Sequence, residues 1–204
     1  EIISHNPGGI FSSASTIKLP LLIEAFRRFD KGIAAPGKML AIGNHVGGSG
    51  VLQALSIEEM SFRDLLSLMI IVSDNTATNL FIDELDIPFP FRFPGLGLRD
   101  TVLKRKMMDS ASLEKGIDNI TSPRDLDLCL RLLTDSSFLE AESRDSIWDI
   151  LKNQQFKDKL PFLTEYTGIT AGNKTGGLQG IDHDCALFRY KGRTVAATVL
   201  CSGL

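Results

Sequence analysis

Cysteine is scarce in this chain of 204 residues. Its three copies, Cys129, Cys185 and Cys201, are an odd number at spacings that match no metal pattern. A disulfide framework and a metal site are therefore not expected, and no organic cofactor is implied. Cys129 and Cys201 sit in apolar contexts, and the thiols read as free and buried. Histidine is equally rare. His5 and His45 have no supporting context, while His183, between Asp182 and Asp184, is either a group on the substrate side or a solvated loop residue. Long apolar runs are missing too: none reaches the roughly 18–20 residues a membrane-spanning helix needs. Nor is there a strong excess of one charge. A net charge of −3 and a pI near 5.6 argue against a nucleic-acid surface. No signal-peptide pattern is present, and the chain begins at Glu1, not Met, so it reads as a processed or trimmed product with export left open. Internal repeats and low-complexity segments are absent.

What is there describes an ordinary globular chain, 43% apolar and 23% charged, enough for one domain over 1–204. Residues 1–10 read as a loop. Ile17, Leu21, Leu22, Ala25, Phe26 and Phe29 recur at helical spacing, predicting a helix from Ser15 to about Phe29, with Pro20 tolerable near its start. Gly47-Gly48-Ser49-Gly50 marks a tight turn. Ser56 with Glu59 resembles a capping box, and Ser61-Phe62-Arg63-Asp64 is a second helix-start signal, followed by an apolar run from Leu65 to Val72. A further helix is expected from Thr76 to about Leu85. Pro88, Pro90 and Pro94 exclude a regular helix, while Phe89, Phe91 and Phe93 alternate as in a strand. Lys104-Arg105-Lys106 reads as a solvated basic run, and 110–120 as a polar connection. Ser122-Pro123 opens a helix to about Leu133, and another spans roughly Glu140 to Lys152. The end is β-rich. Cys185–Tyr190 and Thr194–Cys201 form a hairpin around Lys191-Gly192-Arg193. Helices followed by an antiparallel meander give an α+β fold: a helical lobe over about 15–155 packed on strands over about 168–204.

Three short patterns carry chemistry. Ser15-x-x-Lys18 places a hydroxyl and an amine on one face of a first helical turn. A lysine kept neutral by burial and nearby cations can take the proton of such a serine. Free amides at a helix N-terminus suit a developing oxyanion. Ser73-Asp74-Asn75 interrupts two apolar helices with three polar residues. Lys174-Thr175-Gly176-Gly177 sits at the entry to the β-rich end. Taken singly, each is also what a surface helix or a bare turn would show.

Together and in this order, the three resemble the penicillin-recognising serine enzymes, and within them the class A β-lactamases. Phe11–Lys18, Gly48–Leu52, Met69–Asn79 and Asn119–Asp125 support the resemblance, which covers nearly the whole chain. It implies a β-lactamase/transpeptidase-like fold and an acyl-enzyme on Ser15. Lys18 would accept the serine proton, and Ser73 would relay one toward the leaving nitrogen. Lys174 would add positive charge, Asn75 and Thr175 would bind substrate, and Gly176 and Gly177 would let it lie along the strand. The amides of Ser15 and Gly177 would form the oxyanion hole. Asp74 would hold the turn through side-chain to backbone bonds. The substrate would be a β-lactam or a D-alanyl peptide. By resemblance the protein is bacterial and exported to the periplasm or beyond.

The sequence also departs from that family. The Glu-x-x-Leu-Asn pattern that supplies the deacylating base is absent. In the corresponding short loop only Asp109 and Glu114 are candidate substitutes. Slow deacylation is the expected result, with a D-alanyl-D-alanine carboxypeptidase, a penicillin-binding protein or a non-turnover sensor of β-lactams or cell-wall fragments as alternatives. The chain supplies about three strands of the family's five-stranded sheet and lacks part of the terminal strands and helices. That would leave an edge and an apolar face uncovered, for which truncation, absent ends, or strand exchange with a partner in a homo-oligomer would each account.

Overall fold

The computed structural model describes residues 2–203, and its architecture is α+β. The centre is α1 (Lys18–Asp30), whose residues Leu19 to Phe26 are all buried. A helix buried on every side must be wrapped by others, and α1 is enclosed by α2 (Phe62–Ile71), α5 (Pro123–Leu132) and α6 (Ala141–Lys152). Its one buried carboxylate, Glu24, is neutralised within the helix by Arg27 and Arg28 at 2.8 Å each.

The main sheet is an antiparallel meander of β5 (Thr170–Leu178), β6 (Ile181–Tyr190) and β7 (Arg193–Ser202), in that order. Lys191 and Gly192 both take positive φ, as a two-residue hairpin demands. α5 and α6 cover one face of this sheet. β7 has no neighbour on its outer side among the described residues, and Val195 and Val199 face solvent there. Two short ladders lie elsewhere: β1 (Phe11–Ser12) with β4 (Ile120–Thr121), and β2 (Met39–Ala41) with β3 (Glu59–Ser61). Among the described residues no helix is long and apolar enough to cross a membrane.

Most helix boundaries follow local chemistry. Ser61 caps α2 by accepting the Asp64 amide, and Ser122 caps α5 ahead of Pro123. Several local expectations differ from the structure. Ser56 and Glu59 do not open a helix: Glu59 enters the ladder with Met39–Ala41, which takes its backbone before any helix can. The predicted first helix begins as a separate 3-10 turn, Ala14–Ile17. The 110–120 connection contains a one-turn helix, α4 (Ser110–Glu114). In the Phe/Pro stretch, Phe91 and Phe93 are both buried while Phe89 is exposed, and only a single bridge from Phe91 to Leu103 forms. Alternation there reflects separate insertions into the core, not a strand. Lys104-Arg105-Lys106 is no free basic run: Arg105 pairs with Asp118 at 2.7 Å and Lys106 pairs with Asp83. Cys129 and Cys185 are buried, but Cys201 is only half-buried.

Candidate active site

Ser15 sits in the 3-10 turn that leads into α1, with Ala14 before it at positive φ. The turn is tied down on both sides. Ser13 N donates to Asn119 O at 2.8 Å, and the Thr16 amide and hydroxyl both donate to Ser13 O at 3.0 and 2.6 Å. The Ser15 amide donates to no backbone carbonyl among the described residues, and Ser15 Oγ has no partner there either. A serine with free hydroxyl and amide is what the geometry leaves at this point. The strain of a non-glycine residue at positive φ next to it is borne by these anchors.

Lys18 starts α1 and is fully buried. Its Nζ reaches Ser73 O at 2.7 Å, Asn75 Oδ1 at 2.8 Å and Ser73 Oγ at 3.1 Å. Lys174, also fully buried, donates to the same Ser73 Oγ at 3.1 Å and to Thr175 O at 2.8 Å. Two amines thus share one hydroxyl. Burial drives Lys18 well below the usual lysine value, and the neighbouring charge of Lys174 pushes it further down. Burial brings Lys174 to about 8. The shift is the larger at Lys18, so of the two amines Lys18 gives up its proton the more readily and Lys174 keeps its charge the longer. A neutral Lys18 has two protons for Ser73 O and Asn75 Oδ1 and a lone pair for the Ser73 hydroxyl, so all three contacts are satisfied at once.

Asp74 explains why Ser73 holds a positive φ of 57°. Its carboxylate caps α3 (Asn75–Glu84) through the Ala77 amide at 2.9 Å. The other oxygen accepts from Val51 N at 2.7 Å and Leu52 N at 2.9 Å. The Ser-Asp-Asn turn is thereby welded to the Gly48–Leu52 loop. Asn75 completes the weld by donating to Gly47 O at 3.0 Å.

β5 brings the last pieces. A Cβ on Gly176 would lie 3.0 Å from Thr16 Cγ2 and 3.2 Å from Ser13 O, so this glycine lets the strand press against the serine's turn. Its missing side chain serves that packing. A Cβ on Gly177 would meet open space, and it is this residue that borders the cleft beside Ser15.

Two hollows meet at Ser15. The larger, about 340 Å³, is walled by Met107, Met108, Leu113, Leu178 and Asn75, with Arg105 and Asp118 behind. The smaller, about 230 Å³, is more polar and is bordered by Ser49, Ser73, Lys159, Thr175 and Gly177. Asp109 borders the larger hollow, but both its oxygens are taken by Ser112, at 3.0 Å to the amide and 2.6 Å to the hydroxyl. Those bonds hold its carboxyl below the usual range. Glu114 is exposed at the end of α4 and borders neither hollow. The structure brings Ser15, Lys18, Ser73, Asn75, Lys174, Thr175 and Gly177 together, and leaves Glu114 out.

His183 is neither a loop residue nor a substrate-side group. It lies in β6, 1% exposed, with Nε2 at 2.9 Å from Ser12 O and Nδ1 accepting from Cys201 N at 3.2 Å. Acceptance at Nδ1 leaves Nε2 to carry the proton, so the ring is a neutral strut between β1 and β7. Sequence reasoning missed another set of residues, those that hold the Met107 wall. Asn79 Oδ1 accepts from Met107 N at 2.8 Å and its amide donates to Met107 O at 3.1 Å. Asn119 Oδ1 accepts from Lys104 N and Arg105 N at 2.7 and 3.0 Å. Both asparagines fall inside the stretches that carry the family resemblance, which was the available signal.

A family model described as the β-lactamase enzyme family matches residues 1–204. No curated protein matches significantly. Among solved structures, a β-lactamase from Sphaerobacter thermophilus is 32% identical with a TM-score of 0.90, over 100% of this chain and 79% of that one. PBP-A is 27% identical with a TM-score of 0.85, over 96% and 74%. An ancestral class A β-lactamase is 25% identical with a TM-score of 0.86, over 98% and 80%.

Proposed function

The chain belongs to the β-lactamase enzyme family, and from that premise we propose that it is a serine acyl-transfer enzyme of the class A type, opening β-lactams through an acyl-enzyme on Ser15 that is released slowly. The observation that carries this reading is the shared hydroxyl: Lys18 and Lys174 both 3.1 Å from Ser73 Oγ, beside an unpartnered Ser15. Ser15 Oγ attacks the lactam carbonyl carbon, and its proton passes to neutral Lys18. The oxyanion is met by the Ser15 and Gly177 amides, donors typically worth ~3 kcal/mol each. As the C–N bond breaks, Lys18 returns a proton through Ser73 Oγ to the leaving nitrogen, and charged Lys174 steadies that relay. Asn75 binds the acyl side of the substrate. Thr175 meets its carboxylate.

Slow release is favoured by the wall that a deacylating water would face. Met107 and Met108 stand there, and the nearby carboxylates are occupied: Asp109 by Ser112, and Asp118 by Arg105, Ser12 and the Asn119 amide. A D-alanyl-peptidase or penicillin-binding role is the second reading, favoured by that same apolar wall. Either substrate class belongs to a bacterial protein acting outside the cytoplasm. Intact-mass spectrometry after mixing with benzylpenicillin tests the proposal. A mass increase of one penicillin that disappears over minutes to hours supports the hydrolase, and one that persists supports the penicillin-binding reading. No adduct on the unmodified protein overturns both, and Ser15→Ala should show none.

A further inference from the structure

The two amides of the oxyanion hole proposed above come from different segments. Ser15 N belongs to the 3-10 turn that follows β1, and Gly177 N belongs to β5. Their spacing depends on how that turn is held against the main sheet. Most of the bonds on the turn lead elsewhere. Ser12 Oγ donates to Asp118, Phe11–Ser12 pairs with Ile120–Thr121, and Ser13 N donates to Asn119 O at 2.8 Å. All of these partners lie in residues 118–121, outside the main sheet. Among the described residues, a single hydrogen bond joins residues 11–17 to that sheet: His183 Nε2 donates to Ser12 O at 2.9 Å. The ring is fixed on its other edges. Nδ1 accepts from Cys201 N at 3.2 Å, and Phe11 meets the ring edge to face, with centres 5.8 Å apart. His183 is also the ladder partner of Gly176. That glycine sets the opposite limit, since a Cβ there would lie 3.0 Å from Thr16 Cγ2 and 3.2 Å from Ser13 O. Contact at Gly176 stops the turn from coming closer, and the bond from His183 stops it from moving away.

We propose that His183 is a positioning residue for acyl transfer. Through Ser12 O it holds the Ser15 turn at the distance from β5 at which the Ser15 and Gly177 amides can serve one oxyanion. This role deepens the acyl-transfer reading and rests on it. His183 itself touches no substrate. Its effect on rate comes from preorganisation: donors aimed at a developing charge help most when their spacing is fixed before the charge forms. A misplacement of about 1 Å at such a site can cost ~100-fold in rate. The neutral ring suits the task because its two nitrogens do opposite things. Acceptance from Cys201 N keeps the proton on Nε2, where Ser12 O needs it.

Three variants of the full chain separate the bond from the bulk. His183→Gln can still donate from the position of Nε2. His183→Asn is shorter by one methylene, so it can accept from Cys201 N but does not reach Ser12 O. His183→Phe keeps a ring against Phe11 and removes both bonds. Acylation of Ser15 by benzylpenicillin is followed by intact mass over a range of concentrations, which separates binding from the limiting rate. Asn and Phe should lower the limiting rate about 10- to 100-fold, with the half-saturating concentration within about twofold of the parent's. Gln should keep most of the rate, a rescue that general loosening of the fold would not give. A thermal melt of each variant reports folding, and the Asn and Gln pair carries the test if the Phe variant melts early. A folded Asn variant that acylates at the parent's rate overturns the proposal, as does a Gln variant as slow as the Asn one. Absence of any adduct on the unmodified protein overturns the acyl-transfer reading itself, and this inference with it.

Discussion

Replacing Asp74 with alanine should destabilise the fold strongly, although Asp74 touches no substrate in the mechanism above. The carboxylate is 1% exposed and accepts three backbone amides, from Val51, Leu52 and Ala77. Val51 is itself exposed, so water can take over its amide. Leu52 and Ala77 are fully buried, and their amides would lose their partner. An unsatisfied buried donor costs about 1–3 kcal/mol, and loss of a helix cap about 1 kcal/mol. The cap is the same Ala77 bond and is counted once, so the two buried donors give about 2–6 kcal/mol in total. For a chain near 200 residues each kcal/mol is worth about 2–4 °C, and the melting temperature should fall by about 10 °C. Asn in this place does not rescue fully, because one end of an amide accepts and the other donates. It can serve either Ala77 or the Val51 and Leu52 pair. Circular dichroism melts of the two variants measure the effect, and acylation rates should fall in step as Ser73 and Asn75 lose their fixed positions. A melting temperature for Asp74→Ala within 2 °C of the parent would refute the welding role assigned to this carboxylate.

Two further outcomes follow from the same site. Acylation should be bell-shaped in pH: it falls as acid protonates Lys18, whose neutral form is the base, and falls again as pH rises through about 8, where Lys174 loses its charge. A rate flat from pH 6 to 10 would contradict that division of labour. The adjacent glycines should behave oppositely. Gly176→Ala should cost about 1–3 kcal/mol in stability through overpacking against Thr16 and Ser13. Gly177→Ala should melt like the parent and instead slow acylation by narrowing the cleft; equal melting losses for the two would refute this.

The helices and the meander were legible because each rests on local signals: caps at Ser61 and Ser122, apolar periodicity in α1, and the turn glycine at the hairpin; that Ser15, Ser73 and Lys174 meet was implied only by the family resemblance of the three motifs in order. Illegible parts depend on distant partners. Glu59 enters a ladder because Met39–Ala41 lies beside it, a pairing that no local pattern encodes. His183 reads as a loop residue between two aspartates, yet it is buried because β1 and β7 close over it. Arg105 reads as one of three solvated cations until Asp118 is folded against it. The single-residue bridge at Phe91 is fixed by Leu103, in the same way.

The main chain of the loop carrying Met107 is gripped by two asparagines: Asn79 holds Met107 N and O, and Asn119 holds Lys104 N, Arg105 N and Arg105 O. None of those bonds uses the Met107 side chain, which packs into the core at one end of the larger hollow. An apolar side chain of similar size would be presented at the same spot, so the lifetime of the covalent intermediate proposed above should be tunable by conservative substitutions there while the backbone stays in place.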